Sequence, residues 1–327
     1  MLDELIVPYR PFTTLSQLQA LREKIEIAPA EDPKDFSRRS GELAGIDFLL
    51  GDESEAYTEI QAAIRTAQEG GDIQILGYLL TTLGAIACYR GSYGAGLEAF
   101  RGAEAFFTRV GDTLGMAWKQ HFYAREYLRY RGNYTEALSQ LSAAQAVLRG
   151  AGNPSGLIEN MLTVADCCTV LGDTRRAIEL LRGAEALRDE HKCDWYSPEI
   201  CLVRARVALV NEHYEQVYHH SYNGLRLVGA SGDVRTLAPL YLTLAAALQT
   251  ERSRLLDARD ALSRAVSAAR GRARRVDLAL ALLQLGQHLR RYSNRLTTRA
   301  RGSGFLFEAH SLFKEMGLER LYMPTPN

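Results

Sequence analysis

One corner recurs along this chain at a nearly constant distance, and a fixed period constrains a fold more tightly than any local propensity. The stretches "CYRGSYGAGL" (88–97), "RYRGNYTEAL" (129–138) and "TVLGDTRRAI" (169–178) carry the same glycine-plus-polar step. With the glycine as marker, equivalent corners fall at Gly51, Gly91, Gly132, Gly172, Glu212, Ser253 and Ser293, with spacings of 40, 41, 40, 40, 41 and 40 residues. A second marker stands at Gly71-Asp72, Gly111-Asp112, Gly152-Asn153 and Gly232-Asp233, and "HKCDW" replaces the one expected near residue 192. Two turns per period leave two segments of about 17 residues, too long for average strands and enough for helices of four to five turns.

Within those segments the apolar spacing is helical, as in "AIELLRGAEAL", where Ala177, Leu180, Leu181, Ala184 and Leu187 share one face. Glycine tolerates the left-handed exit from one helix, and aspartate caps the next. Each period therefore predicts a helix hairpin. Small residues stand early in the first helices (Ala44, Gly84, Ala124, Ala165, Ala205, Ala245, Gly286) and in most of the second (Ala56, Gly96, Ala137, Ala177, Val217, Ala258, Thr298). Such positions let helix axes approach to roughly 8–10 Å. A lone hairpin cannot bury its apolar face, so the hairpins stack into a superhelix, with the terminal units as caps.

Length alone permits two compact domains or one array. Hydrophobic content of 46% and charged content of 24% describe a folded chain. A formal net charge of zero argues against a globally basic nucleic-acid binder. Charge is unevenly placed: thirteen arginines against Asp257, Asp260 and Asp277 give +10 between Arg252 and Arg301, leaving −10 elsewhere. The start lacks a secretory signal pattern and no window has the apolar length of a membrane span, so a cytoplasmic protein is expected. Cys88, Cys167, Cys168, Cys193 and Cys201 lack C-x-x-C spacing and read as reduced packing residues.

The stretch "LGAIACYRGSYGAGLEAFRGA" (83–103) resembles a tetratricopeptide repeat, with Leu83, Gly84, Gly91, Tyr93, Phe100 and Ala103 at matching spacing. The longer period is similar to the helical-repeat domains of maltose-regulon-type activators and of Leu-Gly-Asn scaffold proteins. The resemblance implies an all-α, right-handed superhelical solenoid of about seven helix-turn-helix repeats over residues 33–317. Residues 1–32 form a non-repeating segment with a helix expected near 13–26, and 318–327 a tail. The family's tryptophan and proline are mostly missing. The last unit, "NRLTTRARGSGFLFEAH", carries roughly one helical turn too many.

No phosphate loop, H-E-x-x-H or G-x-S-x-G element is present, so no enzyme and no cofactor is expected. His213, His219 and His220 lack the three- or four-residue helical spacing of a metal pair. The resemblance implies instead a concave groove lined by the first helices that binds a protein or peptide segment, acidic or with a free carboxylate. A ligand-sensing module binding a small molecule or signalling peptide is the second reading. A homodimer is compatible with either, and direct nucleic-acid contact lacks a supporting motif.

Counted from the Gly-Asp marker, the implied groove positions hold Tyr78 and Tyr89; Trp118, His121, Phe122, Arg125 and Arg129; Glu159 and Asp166; Glu199 and Arg206; and Arg290 and Arg291. The third unit is 41 residues long, so this register requires the extra residue to follow the first helix. Otherwise Lys119, Tyr123, Glu126 and Tyr130 take those places. The first register leaves Ala124 rather than Arg125 at the helix crossing. It aligns Arg125, Asp166 and Arg206 as a ladder across three units, either a brace or a surplus donor fork for a ligand carboxylate. The arginine-rich end reads as a solvated face, or as a docking site for an acidic partner.

Overall fold

The computed structural model describes residues 15–27, 30, 32–70, 73–231, 234–272 and 274–322. The turn markers Gly71-Asp72 and Gly232-Asp233 lie outside them, as do residues 1–14 and 323–327. Every regular element among the described residues is helical. The helices are α1 (Leu15–Ile27), α2 (Pro33–Leu50), α3 (Glu53–Glu69), α4 (Ile73–Tyr89), α5 (Tyr93–Val110), α6 (Thr113–Phe122), α7 (Tyr134–Gly150) and α8 (Pro154–Val170). They continue as α9 (Thr174–His191), α10 (Ser197–Val210), α11 (Tyr214–Ser231), α12 (Leu237–Leu248), α13 (Leu255–Arg272), α14 (Arg275–Tyr292), α15 (Leu296–Glu315) and α16 (Glu319–Tyr322).

The helices pack as successive hairpins, α2 with α3 through α14 with α15, and each hairpin leans on the next. The first helices form an inner layer, α8 touching α10 and α10 touching α12. Burial follows from that layering. The α8 helix is buried from Ser155 to Thr169, whereas α9 buries only Ala177, Leu181 and Ala184. The outer helices are accordingly amphipathic and the inner ones are not.

The expected turn chemistry is in place. Gly51, Gly91, Gly132 and Gly172 have φ between 75° and 88°. Asp112, Asn153 and Asp173 accept hydrogen bonds from the backbone N–H groups of Gly115, Gly156 and Arg176, capping α6, α8 and α9. At two corners the left-handed geometry persists without glycine, with Lys192 at φ 54° and Glu212 at φ 58°.

The small residues sit at the hairpin crossings as expected, Ala124, Ala137, Ala165 and Ala177 being fully buried. In α4–α5 the crossing is so tight that a Cβ at Gly96 would press on the Gly84 carbonyl. The last hairpin differs. There Gly302, not Thr298, faces Gly286 across the crossing. The surplus turn of α15 therefore lies ahead of the crossing, shifting it by one turn.

The extra residue of the third unit does not follow the first helix. Helix α6 continues past Phe122 through a π-helical turn, Tyr123–Leu128, and a closing 3₁₀ turn, Arg129–Arg131, and from here on α6 names the whole stretch 113–131. A π turn takes one more residue into the same rise. Ala124, Arg125 and Glu126 are all buried there, as consecutive residues are elsewhere in the inner layer.

An open trough is not what the hairpins enclose. The row curls until α14 meets α6: Arg274 forks onto Glu126 with Nε–Oε2 and Nη2–Oε1 distances of 3.0 and 2.9 Å. The Tyr322 hydroxyl donates to the Tyr130 carbonyl at 3.1 Å, and Met316 lies against Gly91. Short α16, in what the periodicity leaves as a tail, stacks its Tyr322 on Phe313. Inner-layer residues far apart in the chain thus converge on one axis.

Candidate functional site

The axis is charged. From α6 come Arg125, Glu126 and Arg129; from α8, Glu159 and Asp166; from α10, Glu199 and Arg206; from the turn before α12, Arg235; and from the start of α14, Arg274 and Asp277. All but Arg129 and Arg206 are buried, and those two are partly so. Five guanidiniums meet five carboxyl groups, which keeps the net charge of a dry space near zero. A small cavity of about 20 Å³ remains, lined by Arg125, Tyr130, Asp166, Arg206, Arg235 and others.

Pairing within the cluster is specific. Arg125 spans Glu159 at 3.3 Å, Glu199 at 3.0 Å and Glu126 at 3.2 Å, and donates to the Thr163 hydroxyl at 3.1 Å. Asp166 is held by Arg129 at 2.7 Å and by Arg206 at 2.7 Å. The Arg125–Asp166–Arg206 ladder is therefore corrected: Arg129 takes the first place. The π turn is the reason, since it rotates Arg129 inward above Asp166 and leaves Arg125 one turn lower, opposite Glu159.

Proton affinities follow these contacts. Burial alone would raise the Glu126 pKa, but Arg274, by charge and hydrogen bond, and Arg125 reverse this and hold it at about 2. Burial likewise opposes ionisation of Glu159 and Asp166, and Arg125 with His121, and Arg206 with Arg129, drive both below the usual carboxylate range. Asp277 goes the other way, because burial outweighs the nearby Arg274, Arg206 and Arg129. One of its oxygens has no hydrogen-bond partner among the described residues. An acid with a raised pKa beside arginines that lower the others gives the axis two carboxyl populations.

Of the groove residues implied by resemblance, the structure brings Arg125, Arg129, Glu159, Asp166, Glu199 and Arg206 together. Tyr89 borders them, its ring under the Arg274 guanidinium at 4.9 Å. Tyr78, Trp118 and Phe122 lie in the packing between hairpins. The Tyr78 hydroxyl donates to Asp112 at 2.9 Å, and Trp118 stacks on Phe122 over Gly156, where a Cβ would collide with the indole. His121 is fully buried, its Nε2 3.5 Å from Glu159. Arg290 and Arg291 are exposed on α14, away from the axis.

Both registers of the third unit hold in part. Ahead of the π turn Lys119 faces α5 of the preceding hairpin, pairing with Glu104 at 2.7 Å, and so lies off the axis as in the first register. After it Glu126 and Tyr130 face the axis alongside Arg125 and Arg129. Sequence reasoning missed Arg235, Arg274 and Asp277. The first two stand at the very start of first helices, 39 residues apart, and that spacing was their one available signal.

The family described as "Anaphase-promoting complex subunit 5" matches residues 36–87. No curated protein matches the chain. Among solved structures, a Rap protein complexed with competence and sporulation factor is similar over 92% of this chain and 81% of its own, with a TM-score of 0.66 and 15% identity. Aspartyl phosphate phosphatase F from Bacillus subtilis is similar over 95% and 78%, with a TM-score of 0.57 and 12% identity. A STAND protein with a tetratricopeptide repeat sensor from Pyrococcus horikoshii is similar over 94% of this chain and 45% of its own, with a TM-score of 0.53 and 13% identity. These likenesses span several kinds of helical-repeat protein. They establish an all-α, tetratricopeptide-like architecture of stacked helix pairs, and no single subfamily.

Proposed function

We propose that this chain is a non-catalytic binding protein whose hairpins form a right-handed solenoid of about seven repeats, and that its charged axis receives an extended peptide or protein segment. The carrying observation is the convergence of non-repeating charged residues from five successive hairpins on one line. Stability alone does not call for charge at these places, because buried ion pairs add little over apolar residues of similar volume. A ligand carboxylate replaces an internal one on arginines that are already oriented, and Arg206, with 33% of its side chain exposed, makes the first contact.

Support comes from the fold neighbour solved with competence and sporulation factor. Glu126, Glu159, Asp166 and Glu199 are each engaged by arginine, an arrangement suited to recognition more than to turnover. The tetratricopeptide sensor of the STAND protein favours the second reading, in which the occupied axis reports a ligand to another domain. Buried free cysteines fit a reducing cytoplasm.

Arg206→Ala tests the site, since removing a partly exposed end of the network leaves Asp166 paired with Arg129. Peptides captured by the wild-type protein from a lysate should bind the variant at least about tenfold more weakly, with the melting temperature little changed. Equal affinity in titration calorimetry rejects the axial site.

A further inference from the structure

The arginines of the last third of the chain differ in pairing: Arg274 holds Glu126 on the axis, and Arg252, Arg290, Arg291 and Arg299 make no ion pair among the described residues. Arg254, Arg264, Arg270 and Arg275 hold Asp257, Asp260, Glu308 and Glu315 respectively. Arg259, Arg295 and Arg301 make no ion pair among the described residues, and they stand around one groove. It consists of two adjoining hollows of about 520 and 290 Å³ between α13, α14 and the surplus first turns of α15. Neither hollow has a carboxylate in its lining. The acids of α13, Asp257 and Asp260, open onto a different depression beside Tyr222 and Tyr241.

Leu285 and Leu289, both buried, and half-buried Phe305 close the groove's bottom, with Ser263, Thr297 and Thr298 on the walls. At the rim Leu256, which lines the smaller hollow, is 70% exposed. The surplus turn creates this shape. Because the crossing with α14 is moved to Gly302, residues 296–301 project beyond it over α13, and no further hairpin covers them among the described residues. An unneutralised basic rim around an apolar floor has its electrostatic and solvation complement in a chain that is itself acidic and amphipathic.

We propose that this groove docks an acidic segment of a partner protein, with one or two apolar side chains entering between Leu256 and Leu289 and carboxylates meeting Arg259, Arg295 and Arg301. Nucleic acid would satisfy the arginines but leave the leucines without a role, and the aromatic ring nearest the rim, Tyr292, is already packed on His288. The site is separate from the axis and does not depend on it.

The test uses the full chain and fluorescence anisotropy. The probe is a labelled peptide of ~15 residues with leucine at helical spacing among glutamates, compared with its lysine-for-glutamate counterpart and with a ~20-base-pair DNA duplex. Saturable binding of the acidic peptide alone is expected, weakened about tenfold or more by Arg295→Glu with Arg301→Glu, weakened also by Leu256→Asp, and unaffected by Arg206→Ala. Circular dichroism of these surface variants should match wild type. No binding of the acidic peptide, binding that survives the double reversal, or tighter binding of the duplex overturns the proposal. So does self-association that disappears in the double variant, which would make the face an interface between copies.

Discussion

At Lys192 and Glu212 the backbone adopts the left-handed conformation that glycine takes at the other corners. A side chain there costs about 1–2 kcal/mol relative to glycine, reduced by glycine's greater freedom in the unfolded chain. Lys192→Gly and Glu212→Gly should therefore each stabilise the protein by about 1 kcal/mol, measured as a shift of the urea midpoint at constant slope. The corners were legible in sequence because their geometry repeats whether or not glycine supplies it, so the period could be carried through "HKCDW" and "NEHY". The axial partners were not. Arg125 aligned with Asp166 by counting, yet it binds Glu159 and Glu199, because a side chain's partner depends on its rotation about the helix and counting fixes only its height.

The π turn in α6 and the surplus turn in α15 are where individual elements depart from the repeat. Both were announced by length, a 41-residue unit and an overlong last one, but length does not say where an extra residue goes. The sixth unit is also 41 residues long, and there a 3₁₀ turn, Arg252–Arg254, precedes α13. In α6 the insertion lies within the helix and turns both Arg125 and Glu126 inward. Deleting Tyr127 should restore a regular helix and force one of that pair off the axis. The expected loss is about 3 kcal/mol or more, since one buried charge is left without its partner. Denaturant unfolding measures that loss, and an unchanged far-UV spectrum of the folded variant would show that helicity is not its source.

For the whole molecule, closure rests on Arg274 with Glu126 and on Tyr322 with Tyr130. Glu126, Glu159 and Asp166 titrate below their ordinary range, so the stability they supply is complete above the ordinary carboxylate pKa and disappears as pH falls through the folded values. For Glu126 that window runs from 4.5 down to about 2. Asp277 has the opposite sign, its burial favouring the protonated state and partly offsetting the loss. Small-angle scattering across this window should show the radius of gyration increasing before helical ellipticity falls; a single concerted transition would mean that the ring and the hairpins are not separable.

The clasp joins residues 148 and 192 positions apart. Nothing nearer in the chain substitutes for it. During synthesis the early hairpins can stack as they emerge from the ribosome, but their guanidiniums and carboxylates stay wet until the final hairpin and Tyr322 arrive. A truncated or stalled product would thus present an incomplete ring with its charged interior accessible, and quality-control proteases would have a marker for unfinished chains.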